Sequence, residues 1–246
     1  MILDSHVHLK HGDAKKTEYA PDVIVETMDA VGIDRSIVFA MSTTTRRSIE
    51  MAEEAVRKYP DRLIPYVYAL PHYERPVIDE LERAISELGF RGIKIHIGEC
   101  TLAEYVVDPV LALAGRLDVP CLIDFGGRLN EVERIANAFP ETRILVAHMG
   151  RYLCEDAALL DACIRLAEAH PSLYLDVSGV ILAPMIREAV ERIGPERVIW
   201  GTDGPHEKPD TIGFARAELD RIRSLELEPE VEAAVLGGSM AQLLGL

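Results

Sequence analysis

The sequence has few positive charges and no long hydrophobic run. Its 246 residues include 26 Lys and Arg against 41 Asp and Glu, which gives a formal net charge of −15 at pH 7. Such an acidic surface repels nucleic acid and anionic membranes, so neither is expected as a partner. No stretch of 18 apolar residues occurs, which argues against a helical membrane span.

Cysteine is also scarce. Four cysteines, at positions 100, 121, 154 and 163, are scattered and form no Cys-x-x-Cys pair. This predicts a reduced protein with free thiols rather than a disulfide framework. The chain opens on a polar-studded strand, without a basic segment followed by an apolar one, so no secretory signal is expected. A cytoplasmic location is the resulting expectation.

What the chain has is a regular alternation of strand and helix patterns. Eight such units, about 30 residues apart and without linkers, predict a single α/β domain over residues 1–246, a (β/α)8 TIM barrel. An open doubly wound sheet would need a Gly-rich phosphate turn after the first strand, and none is present. The predicted strands cover 1–9, 35–41, 63–70, 92–98, 120–127, 143–150, 173–179 and 197–204. The predicted helices cover 21–31, 46–59, 75–88, 109–117, 130–139, 157–169, 184–193, 211–225 and 229–244.

The first strand carries a His-x-His pattern at its end. Side chains two apart on a strand share a face, so Asp4, His6 and His8 are expected on one face and the residues between them on the other. Two imidazoles at this spacing can close on a single divalent metal, since imidazole is the commonest nitrogen ligand for such ions. They could equally be satisfied polar residues at a strand end, so this pattern alone leaves the choice open.

Other polar residues also lie at the carboxyl ends of predicted strands. In a barrel, catalytic residues stand at the carboxyl ends of the strands. Most of the eight histidines are found there, together with a lysine and two aspartates. A buried cluster of this kind must be paired or metal-bound, which predicts an active site. The residues concerned are His6, His8, His72, Lys94, His96, Asp124, His148 and Asp203.

These strand-end segments resemble the amidohydrolase superfamily, specifically the amidohydrolase-related branch that includes aminocarboxymuconate-semialdehyde decarboxylase. The similarity extends along the whole chain and is moderately specific for the superfamily, but it says little about the substrate. It is carried by residues 2–8, 92–96, 144–150 and 198–205 and by a closing helix within 235–246.

The resemblance implies that His6, His8 and Asp203 bind a divalent ion, usually zinc, with manganese or iron as alternatives. It also implies that His148 lies beside the metal-bound water or the substrate. The chain departs from the family at Asp124, where a metal-binding histidine is usual. Asp124 could ligate in its place, or it could orient a ligand imidazole while His96 or His148 completes the metal shell. Some lactonases of this branch are thought to work without metal.

The expected function is a metal-dependent hydrolase that acts on a small-molecule amide, ester or lactone through a metal-activated water. Asp203 would accept the proton of the water and donate it to the leaving group, and His148 would stabilise the developing oxyanion. A non-oxidative decarboxylase or a metal-free lactonase is the alternative enzyme, and a barrel retained as a binding protein is the alternative outside catalysis.

Several roles stay open at this point. Lys94 is interpreted as an ion-pair partner of Asp4 or Asp124, as a contact to an anionic substrate, or as a carbamylated ligand like that of binuclear relatives. His96 is either a metal ligand or a substrate contact. His72 and Asp124 are further candidates for substrate contacts. A homodimer is the default expectation, because twofold assemblies are the commonest.

Overall fold

The computed structural model describes all residues, 1–246, and shows a closed barrel of eight parallel strands. Each strand is hydrogen-bonded to the next in chain order. The predicted (β/α)8 TIM barrel is therefore confirmed. The strands are β1 (Leu3–Lys10), β2 (Arg35–Ala40), β3 (Leu63–Pro65 and Val67–Tyr68), β4 (Ile93–His96), β5 (Cys121–Asp124), β6 (Ile144–Val146), β7 (Leu173–Asp176) and β8 (Val198–Ile199).

The barrel closes between β1 and the segment that follows β8. Val7 pairs in parallel with Gly204, and the amide of His8 donates to the carbonyl oxygen of Gly204 at 2.7 Å. The break in β3 falls at Tyr66, whose amide still donates to Val38 in β2 at 3.0 Å. Gly92 makes room for the Tyr66 ring, because a Cβ there would lie 2.3 Å from the ring.

The helices form the outer layer, and their ends follow local signals. The α1 helix ends at Gly32 in a left-handed conformation (φ 86°), and α6 begins after Asp156, whose carboxylate accepts from two amides of the first turn. None of the helices is both long and apolar enough to cross a bilayer. They are α1 (Pro21–Val31), α2 (Thr45–Lys58), α3 (Ile78–Leu88), α4 (Glu104–Arg116), α5 (Leu129–Ala138), α6 (Ala157–Ala169), α7 (Ala183–Ile193), α8 (Thr211–Arg223), α9 (Pro229–Ala233) and α10 (Ser239–Leu244).

The core has two parts, as the strand alternation predicts. A smaller cluster fills the barrel interior and includes Leu3, Phe39 and Tyr68. A larger one lies between the strands and the helix layer and includes Ile93 and Ile95 of β4. Lys94, between these two isoleucines, therefore points into the barrel.

Two helices differ most from the sequence-based prediction. The α4 helix begins at Glu104 rather than at residue 109, and Pro109 lies inside it, because proline also fits within a helix when tertiary packing outweighs one lost hydrogen bond. The final helix is interrupted by a π-turn at Ala234–Gly238. Gly237 allows this close approach, since a Cβ there would lie 2.6 Å from the backbone nitrogen of Leu3.

The expectation that Asp4 shares a face with His6 and His8 is wrong. The pairing register of β1 with β2 shifts between Asp4 and Val7, so the period of two is broken there. Asp4 lies with Val7 against the helix layer, whereas His6 and His8 face the barrel mouth.

Candidate active site

A cavity of about 360 Å³ opens at the carboxyl ends of the strands and collects most of the sequence-predicted site residues. This is the end at which barrel enzymes place their catalytic groups. Only two of its twelve lining residues are apolar. The lining comprises His6, His8, Lys94, His96, Asp124, His148 and Asp203, together with His11, Gly12, Asp13, Met41 and Tyr152.

His6, His8 and Asp203 converge on one point. The Oδ1 of Asp203 lies 3.1 Å from the Nε2 of His6 and 2.9 Å from the Nε2 of His8. Both histidines are almost fully buried. Burial, together with nearby positive charge from Lys94 and His11 respectively, lowers the pKa of His6 and that of His8. Both rings are therefore neutral near pH 7, the form that binds metals.

The far side of the His6 ring is held by buried acceptors. Its Nδ1 lies 3.2 Å from the hydroxyl oxygen of Ser178 and 3.4 Å from the Oδ2 of Asp176. The ammonium group of Lys94 lies 3.0 Å from the Nε2 of His6, and an ammonium can only donate. The proton of the His6 ring is accordingly on Nδ1, and Nε2 keeps its lone pair toward the cavity.

Lys94 does not form the ion pair with Asp4 or Asp124 that the sequence suggested, since neither carboxylate lies within 4.0 Å of its nitrogen. It is 1% exposed and lies over the ring of Phe39, with 5.2 Å between Nζ and the ring centroid. Burial lowers its pKa, although the charges of Asp124, Asp203 and Asp176 oppose this effect. Its nitrogen therefore faces the cavity beside His6 instead of pairing with a single acid.

Asp124 lies between two imidazoles. Its Oδ2 is 3.2 Å from the Nε2 of His96 and 3.6 Å from the Nε2 of His148. Burial alone would raise the pKa of Asp124, but the interactions with His148 and His96 outweigh it and hold that pKa well below its usual range. Burial likewise disfavours the charged form of His148, yet Asp124, with Asp203 and Asp176, raises its pKa to about 9. His148 is therefore an imidazolium at neutral pH.

The backbone around His148 is unusual. His148 and Met149 have left-handed φ values of 57° and 47° inside a short turn that replaces the predicted end of the sixth strand. The turn is held from β7, because the amide of His148 donates to the Oδ1 of Asp176 at 3.1 Å and its Nδ1 donates to the carbonyl oxygen of Ser178 at 2.9 Å. Strained backbone kept by surrounding structure is typical of functional sites.

Asp203 also has a left-handed backbone that hydrogen bonds hold in position. It has a φ of 60°, and the preceding Thr202 is tied to buried Asp4, which accepts from its amide at 2.9 Å and from its hydroxyl at 2.7 Å. Asp4 is thus a support behind the site and not part of its lining. Burial raises the pKa of Asp4 to about 7, against the effect of these hydrogen bonds.

The structure adds two ring-bearing side chains to the eight predicted site residues. Tyr152 lies against His148 edge to face, with 5.0 Å between ring centroids, and lines the cavity. His11, in the loop that follows β1, stacks on His8 at 4.3 Å and donates from Nε2 to the carbonyl oxygen of Pro205 at 2.6 Å. Both lie in irregular segments, where periodicity carries no signal.

His72 is not brought into this cavity. It is exposed and lies in a tight turn, paired with Arg75 through two backbone hydrogen bonds of 2.9 Å. It lines a separate cavity of about 450 Å³.

The donor set of His6, His8 and Asp203 fits a divalent metal ion. Their ligand atoms lie within 4.8 Å of one another, and two imidazole nitrogens with one carboxylate oxygen suit zinc, manganese or iron. The charges of the surrounding side chains also favour a metal ion at this site. Even with Lys94 and His148 both protonated, the carboxylates of Asp124, Asp176 and Asp203 leave one buried negative charge without a partner, which favours a bound cation.

Comparison with known proteins agrees with this geometry. A family model described as Amidohydrolase matches residues 3–246, so the chain belongs to the amidohydrolase family. It is 27% identical over 237 residues to 4-sulfomuconolactone hydrolase of Hydrogenophaga intermedia, covering 82% of this chain and 74% of that protein.

Solved structures share the fold. An amidohydrolase of Burkholderia multivorans with bound zinc superposes with a TM-score of 0.80 at 17% identity, covering 100% of this chain and 99% of the other. The 5-carboxyvanillate decarboxylase of Sphingomonas paucimobilis gives 0.76 at 15% identity with the same coverage. The proteins that this chain resembles therefore include a lactone hydrolase in sequence and a decarboxylase in fold, and the fold alone does not choose between these activities.

Proposed function

We propose that this protein is a hydrolase of a small-molecule ester or lactone and that a divalent ion held by His6, His8 and Asp203 takes part. The observation that carries the proposal is the meeting of the Oδ1 of Asp203 with the Nε2 atoms of His6 and His8 in a cavity that His148 and Lys94 also line. Relatedness to a lactone hydrolase supports the choice of substrate bond.

Asp203 supplies the general base. Its Oδ1 faces His6 and His8, and its Oδ2 lies 3.9 Å from the Nε2 of His206. Burial alone would raise the pKa of Asp203, but the neighbouring imidazoles of His6, His206 and His8 outweigh it and hold that pKa well below its usual range. The carboxylate is therefore ionised at neutral pH and can take a proton from an attacking water through Oδ2.

His148 and Lys94 stabilise the negative charge that develops on the carbonyl oxygen. Both line the cavity, and the imidazolium of His148, whose charge Asp124 maintains, can donate a charge-assisted hydrogen bond from Nε2 to this oxygen. A divalent ion, when bound, adds Lewis acidity at the same place. The proton held by Asp203 then passes to the departing oxygen, which leaves as an alcohol.

Decarboxylation is the second candidate, and one observation favours it. Loss of CO₂ requires delivery of a proton to carbon, and the raised pKa of His148 makes it a proton donor at neutral pH. Products separate the two reactions, because a hydrolase converts a lactone into a hydroxy acid whereas a decarboxylase releases CO₂ from a carboxylic acid.

The test is a product assay on panels of lactones, esters and aromatic carboxylic acids. We expect hydrolysis by the wild type and a loss of about 10²- to 10⁴-fold in kcat for Asp203→Asn. Asp61→Asn, an exposed carboxylate at the amino end of the barrel, is the matched control and should retain full activity. Release of CO₂ without hydrolysis would transfer the proposal to the second candidate.

A further inference from the structure

A second cavity of about 450 Å³ lies beside the catalytic cavity and has a different character. It opens among the segments that follow β2, β3 and β4, at the same end of the barrel. Its volume is within the range of small-molecule sites, which are mostly apolar with a few polar groups. Apolar side chains, among them Leu70, Val77 and Val106, form much of its wall, whereas the catalytic cavity is almost wholly polar.

Two exposed tyrosines stand at this cavity. Tyr73 is 73% exposed and Tyr105 is 70% exposed, and their rings meet nearly at right angles (82°) with 6.0 Å between centroids. No other tyrosine of the chain is among its exposed large hydrophobic side chains. A contiguous aromatic patch left in water is a common mark of a binding site. The pair therefore offers ring faces and edges that a planar ligand could cover.

The tyrosines are also held in place before any ligand arrives. Tyr73 belongs to the turn closed by the reciprocal backbone hydrogen bonds of His72 and Arg75, and the amide of Glu74 donates to the Nδ1 of His72 at 3.2 Å. Tyr105 lies in the first turn of α4. A site whose walls are ordered in advance binds with a smaller entropy cost.

One side chain separates the two cavities. Glu99 lines the second cavity, and a Cβ on Gly12, which lines the catalytic cavity, would lie 3.1 Å from its Oε1. Its carboxylate accepts from the hydroxyl of Ser42 at 2.6 Å, from the amide of Ser42 at 3.0 Å, and from the hydroxyl of Tyr68. Glu99 is thus held in a fixed position between the two cavities. A ligand in the second cavity would therefore be separated from the catalytic cavity by this side chain.

The charges of the lining favour a neutral ring. Glu80 faces Arg46 at 3.6 Å, and the carboxylate of Glu99 already has three donors, so neither calls for a cationic ligand. The guanidiniums of Arg46 and Arg75 balance these two carboxylates, so the cavity offers no net positive charge to an anionic ligand either.

We propose that this cavity binds a neutral planar aromatic group, the non-reacting end of the substrate whose ester or lactone bond lies in the catalytic cavity. The assignment of that group to a substrate rests on the proposed function, whereas the binding of an aromatic ring does not.

The test uses 2-naphthol as the probe and calorimetry on the full chain. We expect saturable binding of one naphthol per chain, and a loss of affinity of about fivefold to tenfold in Tyr105→Ala and in Tyr73→Ala. Leu153→Ala removes an exposed apolar side chain outside the second cavity and should bind as the wild type does. Because all three side chains are exposed, the melting temperatures should agree, which shows that the variants fold.

Two results would overturn the proposal, namely no saturable binding to the wild type or equal affinities in all four proteins. The dependence on the proposed function is checked separately with 2-naphthyl acetate and ethyl acetate as substrates. A rise in KM for the naphthyl ester in Tyr105→Ala that exceeds the rise for ethyl acetate supports the link to the substrate. Naphthol binding that is lost in the tyrosine variants, in a protein that hydrolyses neither ester nor any lactone, contradicts the proposed function and leaves the aromatic site standing.

Discussion

The Oδ2 of Asp124 lies 3.6 Å from the Nε2 of His148, inside a cavity where both side chains are shielded from solvent. The pKa of His148 is thereby raised from 6.5 to about 9 even though burial opposes the charge. The ion pair consequently stabilises the fold fully below pH 6.5, and this contribution is lost as the pH rises through about 9. Asp124, which stands where relatives are expected to carry a metal-binding histidine, therefore holds the positive charge of His148.

Replacing Asp124 should shift the pH dependence of activity. In Asp124→Asn the negative charge is gone while burial of His148 persists, so its pKa should fall. We expect the alkaline limb of the kcat/KM profile to move from near pH 9 toward neutral pH. The profile of Asp61→Asn should match that of the wild type. An alkaline limb that stays in place in Asp124→Asn would show that His148 does not control it.

Metal content should depend on the first strand. Protein purified without chelator or metal-affinity resin should carry about one divalent ion per chain, measured by elemental mass spectrometry, if His6, His8 and Asp203 form a single site. His6→Ala should lose this ion, because one of three protein ligands is missing. His170→Ala, a histidine that lies before β7 at the opposite end of the barrel, is the control. Equal metal content in the two variants would place the ion elsewhere or exclude this site.

The positions of most candidate residues are predictable from the sequence because two simple rules apply, the alternation of side chains along a strand and the shared carboxyl end of parallel strands. Alternation within β4 placed Lys94 toward the barrel interior, and the rule that parallel strands share a carboxyl end brought His6, His148 and Asp203 into one cavity. These inferences need only local patterns and a known barrel topology.

The sequence-based predictions that are wrong also have local causes. Alternation predicts the wrong face for Asp4 because an irregularity in β1 breaks the period, and nothing in the apolar pattern marks that irregularity. The partner of Lys94 depends on three-dimensional distances within a crowded site. Tyr152 follows a turn in which Met149 is left-handed, and methionine is not a residue type that usually signals such a conformation. Side-chain placement in irregular segments therefore required the structure.

Gly179 should prove essential for the position of Tyr152. It has a φ of 62°, and a Cβ there would lie 2.3 Å from the Tyr152 ring, so Gly179→Ala must move that ring away from His148. Gly89→Ala is a matched control, since Gly89 has a φ of 77° but no atom within 4 Å of its added Cβ.

Each substitution should cost about 1–2 kcal/mol of unfolding free energy through the left-handed backbone. Gly179→Ala should cost roughly 1–3 kcal/mol more through the clash, and it alone should lower kcat/KM. Urea denaturation and steady-state kinetics measure both effects. Identical losses of stability in the two variants would mean that the Tyr152 ring moves aside without lowering the free energy of unfolding.

Removing the Ser178 hydroxyl should weaken metal binding while leaving the ligands in place. Its oxygen lies 3.2 Å from the Nδ1 of His6 and 3.1 Å from the Nδ1 of His148, so it fixes the orientation of both rings from behind. Loss of such a supporting group typically lowers metal affinity about 10- to 100-fold, which competition with a fluorescent chelator would detect in Ser178→Ala. Ser36→Ala is the control, because the Ser36 hydroxyl is also buried but has no hydrogen-bond partner. If both variants hold the ion as tightly as the wild type, the hydroxyl does not orient a ligand, and Asp176, 3.4 Å from His6, is left as the group that does.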